Sequence, residues 1–443
     1  MELISHIDTF LKKEAFQKWS RLILSYLLGQ GAVQLIQVLT GFFLLRWLSI
    51  EQYAQYTTAF AFQATAQNLV ELGFAGAIVA LVGNRTGDKA LIGQYIKGGK
   101  FYRDRLFILV GLISVILFPL LTWKHGWAQS VTLALLLAIL ANLYFSGWGS
   151  FYSAPFRIQS DIKGIYRIEI QSSVIRFLLI TALFFTSTIN AWLVVWIGSL
   201  QIFLNGWLFK KRGTQYFKEP SKADPLVRKE MWKYIAPIMP GLIYAAFQAQ
   251  IMVFIISIFG ESRQVAEVGA LGRLSQLFML LNMAGGMLIG PYLARQARDR
   301  HLLKKYLRIL GFAVGIAVIL VLVGFLLPEP LLWLMGDQYA HLTREVGILV
   351  LDASILFING LMWTMNCSRK WLWWWIPVIS ISTNVLLQII LIGSMDLSTT
   401  YQTLIFSLIL SVFHLFNKII VLVVGIRKGP SAPKSTPTTP SES

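Results

Sequence analysis

About twelve long apolar stretches follow one another along this chain at short intervals, with basic residues crowding every second linker between them. A helix that crosses a bilayer needs about 20 apolar residues to match the hydrocarbon core, and the stretches at 22–46, 53–83, 105–123, 128–155, 166–188, 191–209, 234–259, 264–292, 309–335, 342–367, 371–393 and 400–425 supply that length. No soluble core needs so many. Hydrophobic residues make up 56% of the chain and charged residues 14%, against about 25% charged in soluble domains. The expected fold class is therefore an all-α polytopic membrane protein.

The charges fix the orientation. Alternate linkers carry 32 of the 39 Lys and Arg residues; the opposite linkers hold Arg46, Lys124, Arg263 and Arg344, and Arg176, Arg273 and Lys418 lie within spans. Positive linkers stay on the cytoplasmic side, so both termini are expected there and the span count is even. The net charge of +18, which would suggest nucleic acid in a soluble protein, is explained by topology. No nucleic-acid partner is expected. Cys367 is the single cysteine, so no internal disulfide can form.

Five segments follow. Residues 1–21 form a cytoplasmic N-terminal segment, in which Leu3, Ile7, Phe10 and Leu11 at helical spacing suit either an interfacial helix or a disordered tail. An N-terminal set of six spans occupies 22–209, a basic cytoplasmic linker 210–233 and a C-terminal set of six 234–428; the Ser, Thr and Pro-rich end, 429–443, reads as disordered. Tyr53-Ala54-Gln55-Tyr56 enters the second span and Val265-Ala266-Glu267-Val268 the eighth, corresponding places in the two sets that are in keeping with parallel repeats.

Enzymatic chemistry finds little support. The longest outer linker offers Glu329 and Asp337, which read as a solvated turn beside Pro328 and Pro330. The alternative, a carboxylate pair of a membrane glycan polymerase or ligase, would make both essential. There is no P-loop, and the histidines and the cysteine lack metal-ligand spacing.

Polarity inside the spans carries the functional reading, because a charge at mid-helix costs about 2.5–3.5 kcal/mol on insertion scales and faces protein or water. Arg176 and Arg273 lie near the middles of the fifth and eighth spans; Glu345, Asp352, Asn359 and Asn366 recur every seven residues in the tenth. Gln30, Gln34 and Gln37 share a face of the first, and Gln63, Gln67 and Glu71 a face of the second. Ser380, Asn384 and Gln388 line the eleventh, and Ser407, Ser411, His414 and Lys418 the twelfth. Such stripes serve either interhelical hydrogen bonding or a hydrophilic cavity. For Arg176, Arg273 and Asp352 the cavity is expected over the alternative of a buried structural Arg-Asp pair, with Glu71, Gln30, Gln34, Gln37, Gln67, Asn359 and Lys418 lining it, and Glu71, Asp352 and His414 as ion-coupling groups. A lining rich in amides with basic points suits a sugar attached to a phosphate. Trp371, Trp373, Trp374 and Trp375 at the inner boundary read as an aromatic belt, or else as a headgroup-binding lip.

The stretch from Leu27 to Arg85 contains Gly29-Gln30-Gly31, Leu44-Leu45-Arg46-Trp47-Leu48, Glu51-Gln52-Tyr53-Ala54-Gln55-Tyr56 and Glu71-Leu72-Gly73-Phe74. Here the chain resembles the polysaccharide flippases of the multidrug/oligosaccharidyl-lipid/polysaccharide (MOP) exporter superfamily, the Wzx-like O-antigen group, and the topology extends the resemblance over residues 20–428. Ala54 stands where such proteins commonly carry Gly, and Met252 where many carry Asp, so no coupling role is carried over to the seventh span. The resemblance implies two six-helix bundles of MATE-like fold and alternating access through a polar central cavity. It implies movement of an undecaprenyl-pyrophosphate-linked oligosaccharide from the inner to the outer leaflet of a bacterial cytoplasmic membrane, for cell-surface polysaccharide biosynthesis. Arg176 and Arg273 would attract the pyrophosphate and the amide stripes hydrate the sugars. The partners implied are the lipid-linked oligosaccharide, membrane lipids, and the polymerase and chain-length machinery. No cofactor is implied beyond coupling to a proton or sodium gradient or to the membrane potential. Bends in the first and seventh spans are common in this group, and Pro237 and Pro240 would permit one here. A cation-coupled drug or metabolite exporter of the same superfamily is the alternative.

Overall fold

The computed structural model describes residues 28–294, 296, 302–371, 373 and 375–428, apart from the side chains of Met279, Leu280, Ala284, Gly286, Met287, Leu288, Pro291 and Lys428. The expected N-terminal interfacial segment and the C-terminal tail lie outside the described residues, as does Trp374. Among the described residues every regular element is helical: α1 (Leu28–Trp47), α2 (Ile50–Glu71), α3 (Phe74–Val82), α4 (Lys89–Trp123), α5 (Gln129–Ile158), α6 (Ile162–Phe185), α7 (Ala191–Gly213), α8 (Pro225–Ile235), α9 (Met239–Gln248), α10 (Ile251–Phe259), α11 (Ser262–Ala294), α12 (Leu302–Leu326), α13 (Pro328–Met335), a 3-10 turn (Asp337–Tyr339), α14 (Thr343–Ser368), α15 (Trp375–Ser394) and α16 (Thr400–Lys428). Ten of the spans are long and apolar enough to cross a membrane, α2 and α3 together making one of 33 residues, and the bent pair α9 and α10 raises this to eleven. The remaining expected span coincides with α11, which at 33 residues has the length and contains side chains outside those described. The protein is an all-α, multi-span membrane protein.

The chain forms two compact units. The first runs up to Leu274 and takes in Leu332–His341 and Asp396–Thr403; the second comprises Ser275–Leu331, Leu342–Met395 and the chain from Leu404 onward.

In the first unit local sequence sets the helix ends. Asp88, Asp161 and Asn190 accept from the amides of Leu91, Gly164 and Leu193, satisfying first-turn donors of α4, α6 and α7. Ser49 opens α2 in a capping box with Gln52, whose Oε1 accepts from the Ser49 amide at 3.4 Å. At the corresponding entry to α11, Gln264 Oε1 accepts from the Glu261 amide at 3.1 Å. Gly73, at φ +74°, makes the left-handed step between α2 and α3, which glycine takes without a Cβ penalty.

Helix α4 begins sixteen residues before the apolar span expected at 105–123, because a helical, amphipathic extension continues below the apolar run. Its 35 residues reach about 52 Å at the rise of an α-helix. Arg103, assigned from sequence to a basic linker, is in fact 2% exposed and donates to the carbonyls of Leu143 and Tyr144 on α5. The linker 210–233 is also folded. Its helix α8 buries Val227, Met231 and Ile235, Lys218 N donates to Lys89 O at 2.9 Å, and Tyr102 Oη donates to Arg228 O at 3.1 Å. Gly93 permits the backbone approach, since a Cβ there would lie 1.9 Å from Lys218 O.

Pro237 falls between α8 and α9 and Pro240 in the first turn of α9. The sharper bend, 54°, comes later, between α9 and α10 at Ala249-Gln250. No proline stands there. Freed carbonyls at the break and beyond are met by side chains: Thr65 Oγ1 donates to Ala246 O at 3.2 Å, and Lys124 Nζ donates to Phe259 O at 2.7 Å. The lysine places a cation at the C-terminus of α10, where the helix dipole favours one. His125 Nε2 lies 3.0 Å from Ser257 O.

In the second unit the polar stripes meet one another. Ser407 Oγ donates to Asp352 Oδ2 at 2.7 Å, Asn359 Nδ2 to Ser411 O at 2.9 Å and Asn366 Nδ2 to Lys418 O at 3.5 Å, so the heptad stripe of α14 runs along α16. Asn384 Nδ2 and His414 Nε2 are 2.9 Å apart, and Gln388 Nε2 donates to Asn384 Oδ1 at 2.8 Å, which ties in α15. Trp371 is 3% exposed, sits against Gly425 and stacks on Tyr306 at 6.4 Å. It is a core residue, which corrects the aromatic-belt reading expected of it together with Trp373, Trp374 and Trp375.

Candidate functional site

One face of α2 carries Tyr53, Tyr56 and Phe60 and continues, at steps of three and four, through Gln63 and Gln67 to Glu71. The upper part of that face receives both arginines singled out from the sequence. Arg273 on α11 donates through Nε to Tyr53 Oη at 3.2 Å and through Nη2 to Tyr56 Oη at 3.2 Å. Arg176 on α6 donates through Nη2 to the same Tyr56 Oη at 3.4 Å and through Nη1 to Gln201 Oε1 at 3.2 Å. Gln201 in turn donates to Ser173 Oγ at 3.2 Å. All of these lie in the first unit.

Small residues make the arrangement possible. A Cβ at Gly41 of α1 would lie 3.1 Å from Arg273 Cδ, and one at Gly269, a turn before Arg273, only 2.3 Å from Thr57 Oγ1. The Arg273 guanidinium lies 5.5 Å from the Tyr56 ring centroid and 5.3 Å from that of Phe60. Both are within cation-π range. Arg273 is 9% exposed. Among the described residues no carboxylate lies within ion-pairing distance of Arg176 or Arg273, so two positive charges share one phenol hydroxyl without an acid beside them.

The other residues expected at the site are placed as follows. Gln30 and Gln34 are half-buried and Gln37 exposed on α1, on the face that continues to Gly41 beside Arg273. Gln67 Nε2 donates to Glu71 Oε1 at 3.3 Å. Glu71 lies fifteen residues beyond Tyr56 on α2, about 22 Å along the helix, so it is not brought to the arginine pair. Asp352, Asn359, His414 and Lys418 belong to the second unit. There Asp352 is 3% exposed and its Oδ1 has no hydrogen-bond partner among the described residues, while Lys418 Nζ lies 4.2 Å from the Trp363 ring centroid. Among the described residues no cluster of His, Cys, Asp and Glu could hold a metal ion.

Sequence reasoning missed Tyr53, Tyr56 and Gln201. The first two were visible as a motif; extending the Gln63–Glu71 face backwards by the same steps would have placed them on it.

No family profile matches the chain and no curated protein resembles it. Solved structures do. An inward-facing multidrug resistance MATE family transporter of the MOP superfamily superposes with a TM-score of 0.63 at 12% identity, over 90% of this chain and 96% of that one. The chain has a MATE-like fold. Inward-closed MurJ, a lipid II flippase, matches with a TM-score of 0.58 at 11% identity, over 92% and 93% of the two chains. A mutant form of the Vibrio cholerae MATE transporter VcmN matches with a TM-score of 0.57 at 16% identity, over 92% and 97%. These similar structures are transporters and flippases. At such identities the likeness speaks for the fold alone and leaves activity and cargo to be argued from the residues.

Proposed function

We infer that this transporter is a flippase that moves an undecaprenyl-pyrophosphate-linked oligosaccharide from the inner to the outer leaflet of the bacterial cytoplasmic membrane during O-antigen or related surface-polysaccharide biosynthesis. The observation that carries the reading is the arginine pair on Tyr56, which has no carboxylate partner among the described residues. A negative charge about 5 Å from one guanidinium gains roughly 3 kcal/mol at an effective dielectric of about 20, and both guanidiniums converge on one point. A diphosphate suits that point, whereas a drug cation is repelled by it. The amides of Gln34 and Gln37, on the face of α1 that continues to Gly41 beside Arg273, suit hydroxyls. A lipid II flippase among the similar folds supports a lipid-linked cargo. With the cytoplasm negative, each negative charge carried outward gains about 2.3 kcal/mol per 100 mV.

The test is complementation of a flippase-null strain, scoring lipid-linked oligosaccharide on each leaflet with wild type, Arg176→Gln and Arg273→Gln. Restoration by wild type and loss with either variant, each present in the membrane at wild-type level, is expected; unchanged outward appearance with both variants would overturn the reading. A second reading, a cation-coupled drug or metabolite exporter, rests on one observation, the unpaired Oδ1 of buried Asp352. It predicts drug sensitivity on deletion.

A further inference from the structure

Outside the arginine pair, the first unit carries a groove of about 390 Å³ lined by Arg46, Trp333, Gly336, Asp337 and Gln338. The charge pattern of the linkers places both of its walls, the end of α1 and the stretch from Trp333 in α13 to Gln338, on the outer side of the membrane. The size falls in the lower part of the range for small-ligand sites, about 300–1,000 Å³, with room for a short saccharide.

Its walls are held in place from several sides. Arg46 Nη2 donates to Trp333 O, and its guanidinium carbon lies 4.9 Å from the Trp333 ring centroid. Gln338 Nε2 donates to Leu45 O at the end of α1. Gly336 turns the chain at φ +102°, and a Cβ there would lie 3.3 Å from Arg46 Cγ. Side chains rarely adopt that conformation. Tyr339, fully buried, anchors the segment edge-on against Tyr53, ring centroids 6.4 Å apart. A tryptophan that merely marks the membrane boundary needs none of this scaffolding.

The groups left over define the ligand. Trp333 is 66% exposed and its indole N–H has no partner among the described residues. Arg46 Nε and Nη1 remain as donors, and Gln338 Oε1 and the exposed Asp337 carboxylate as acceptors. A phosphate would meet the guanidinium but be opposed by the carboxylate; a cation would meet the reverse. A neutral polyhydroxylated ring satisfies both, since each hydroxyl donates and accepts, and its C–H face can lie against the indole face opposite Arg46. We propose that this groove is an outer-face binding site for a sugar of the transported headgroup, a proposal that rests on the flippase reading for its cargo.

The experiment is saturation-transfer NMR with the full-length protein in nanodiscs and, as probes, free glucose, galactose, N-acetylglucosamine, N-acetylgalactosamine and lactose. At least one probe should receive saturation from wild type, with affinity weakened about tenfold in Trp333→Ala and lowered in Asp337→Asn, whose side chain is exposed. Trp123→Ala, which removes an 84% exposed tryptophan at the outer end of α4, should leave binding unchanged. Absence of transfer from wild type for every probe, retention of affinity in both groove variants, or an equal loss in Trp123→Ala would each overturn the site. Arg273→Gln should abolish flipping and leave probe binding intact. If complementation fails while binding persists, the flippase reading falls and the groove stands; if complementation succeeds without binding, the groove alone falls.

Discussion

Placing a methyl group at Gly269 tests the packing that brings Arg273 to the tyrosines. The Cβ of Gly269→Ala would lie 2.3 Å from Thr57 Oγ1, 2.5 Å from its Cγ2 and 2.9 Å from its Cβ. Rotating Thr57 can clear only one of the first two contacts and leaves the third, so α2 and α11 must move apart. Overpacking of this kind costs about 1–3 kcal/mol, offset by about 1 kcal/mol of helix propensity gained over glycine; the net expectation is a loss of up to about 2 kcal/mol. Gly272, three residues on, meets nothing within 4 Å. There Gly272→Ala keeps the propensity gain alone and should stabilise by up to about 1 kcal/mol. Thermal unfolding of the purified protein compares the two, and Thr57→Ala in the Gly269→Ala background should recover part of the loss, a positive coupling for groups in contact. Tyr53 Oη donates to Gly269 O at 3.5 Å, so Gly269→Ala should also lower flipping while Gly272→Ala preserves it. Equal stability of the two single variants would refute the close approach of these helices, and with it the seating of Arg273.

Three further outcomes are expected. Glu267→Gln should destabilise by about 1–2 kcal/mol, the low end for hydrogen bonds to a charged group: Glu267 accepts from Arg263 at 3.1 Å, His341 at 2.8 Å and Thr400 at 2.6 Å, but Arg263 and His341 are 59% and 40% exposed; thermal unfolding with Glu267→Ala as reference measures it. Gly206→Ala on α7 should cost more than Gly269→Ala, since its Cβ would meet Trp148 Cβ at 2.6 Å and the backbone nitrogen of Gly149 at 2.9 Å, which cannot yield by a rotamer change; loss of folded protein on size exclusion is the readout. Burial beside α10, with Lys124 adding to it, holds the His125 imidazole below its ordinary 6.5. The folded state therefore binds fewer protons than the unfolded state below that value, so this contribution to stability is complete above pH 6.5 and is lost as pH falls through the depressed folded value. A pH series of unfolding temperatures with His125→Gln, which should flatten the acid limb, checks the sign.

Sequence periodicity exposed the helices and their order, because each apolar run is long against the noise of single residues, and the resemblance carried by the first two spans pointed to the right fold. It also picked out Arg176 and Arg273, since a charge in an apolar run is expensive enough to stand out. What joins them is Tyr56, and no one-dimensional pattern distinguishes a tyrosine that binds two guanidiniums from one that fills a core. The basic linkers were less legible. Arg103 counts as a topological charge in the sequence and is a buried donor to α5 carbonyls in the fold, because its partners are backbone atoms forty residues away. The 54° bend of α9 and α10 was expected from proline, yet it occurs where the Thr65 side chain can donate to the carbonyl of Ala246. Such partners belong to other parts of the chain and leave no local mark.

Asp352 separates polarity that builds the second unit from polarity that works in it. Asn359 and Asn366 make hydrogen bonds along α16 that a neutral side chain can make, and removing either should loosen the seam by about 0.6 kcal/mol. Asp352 makes one such bond, to Ser407, and leaves Oδ1 unpartnered at 3% exposure. For that single bond an asparagine of the same shape would serve as well, without the cost of placing a carboxylate where no cation is within ion-pairing distance among the described residues. Asp352→Asn should therefore unfold at the same temperature as wild type or higher. If the carboxylate couples transport to a cation, the same variant in proteoliposomes should keep binding its cargo and lose the response to an imposed proton or sodium gradient. A fall in stability of more than about 2 kcal/mol, the scale of a broken buried charge network, with gradient response per folded molecule unchanged, would make Asp352 a structural member of the seam and remove the observation on which the exporter reading stands.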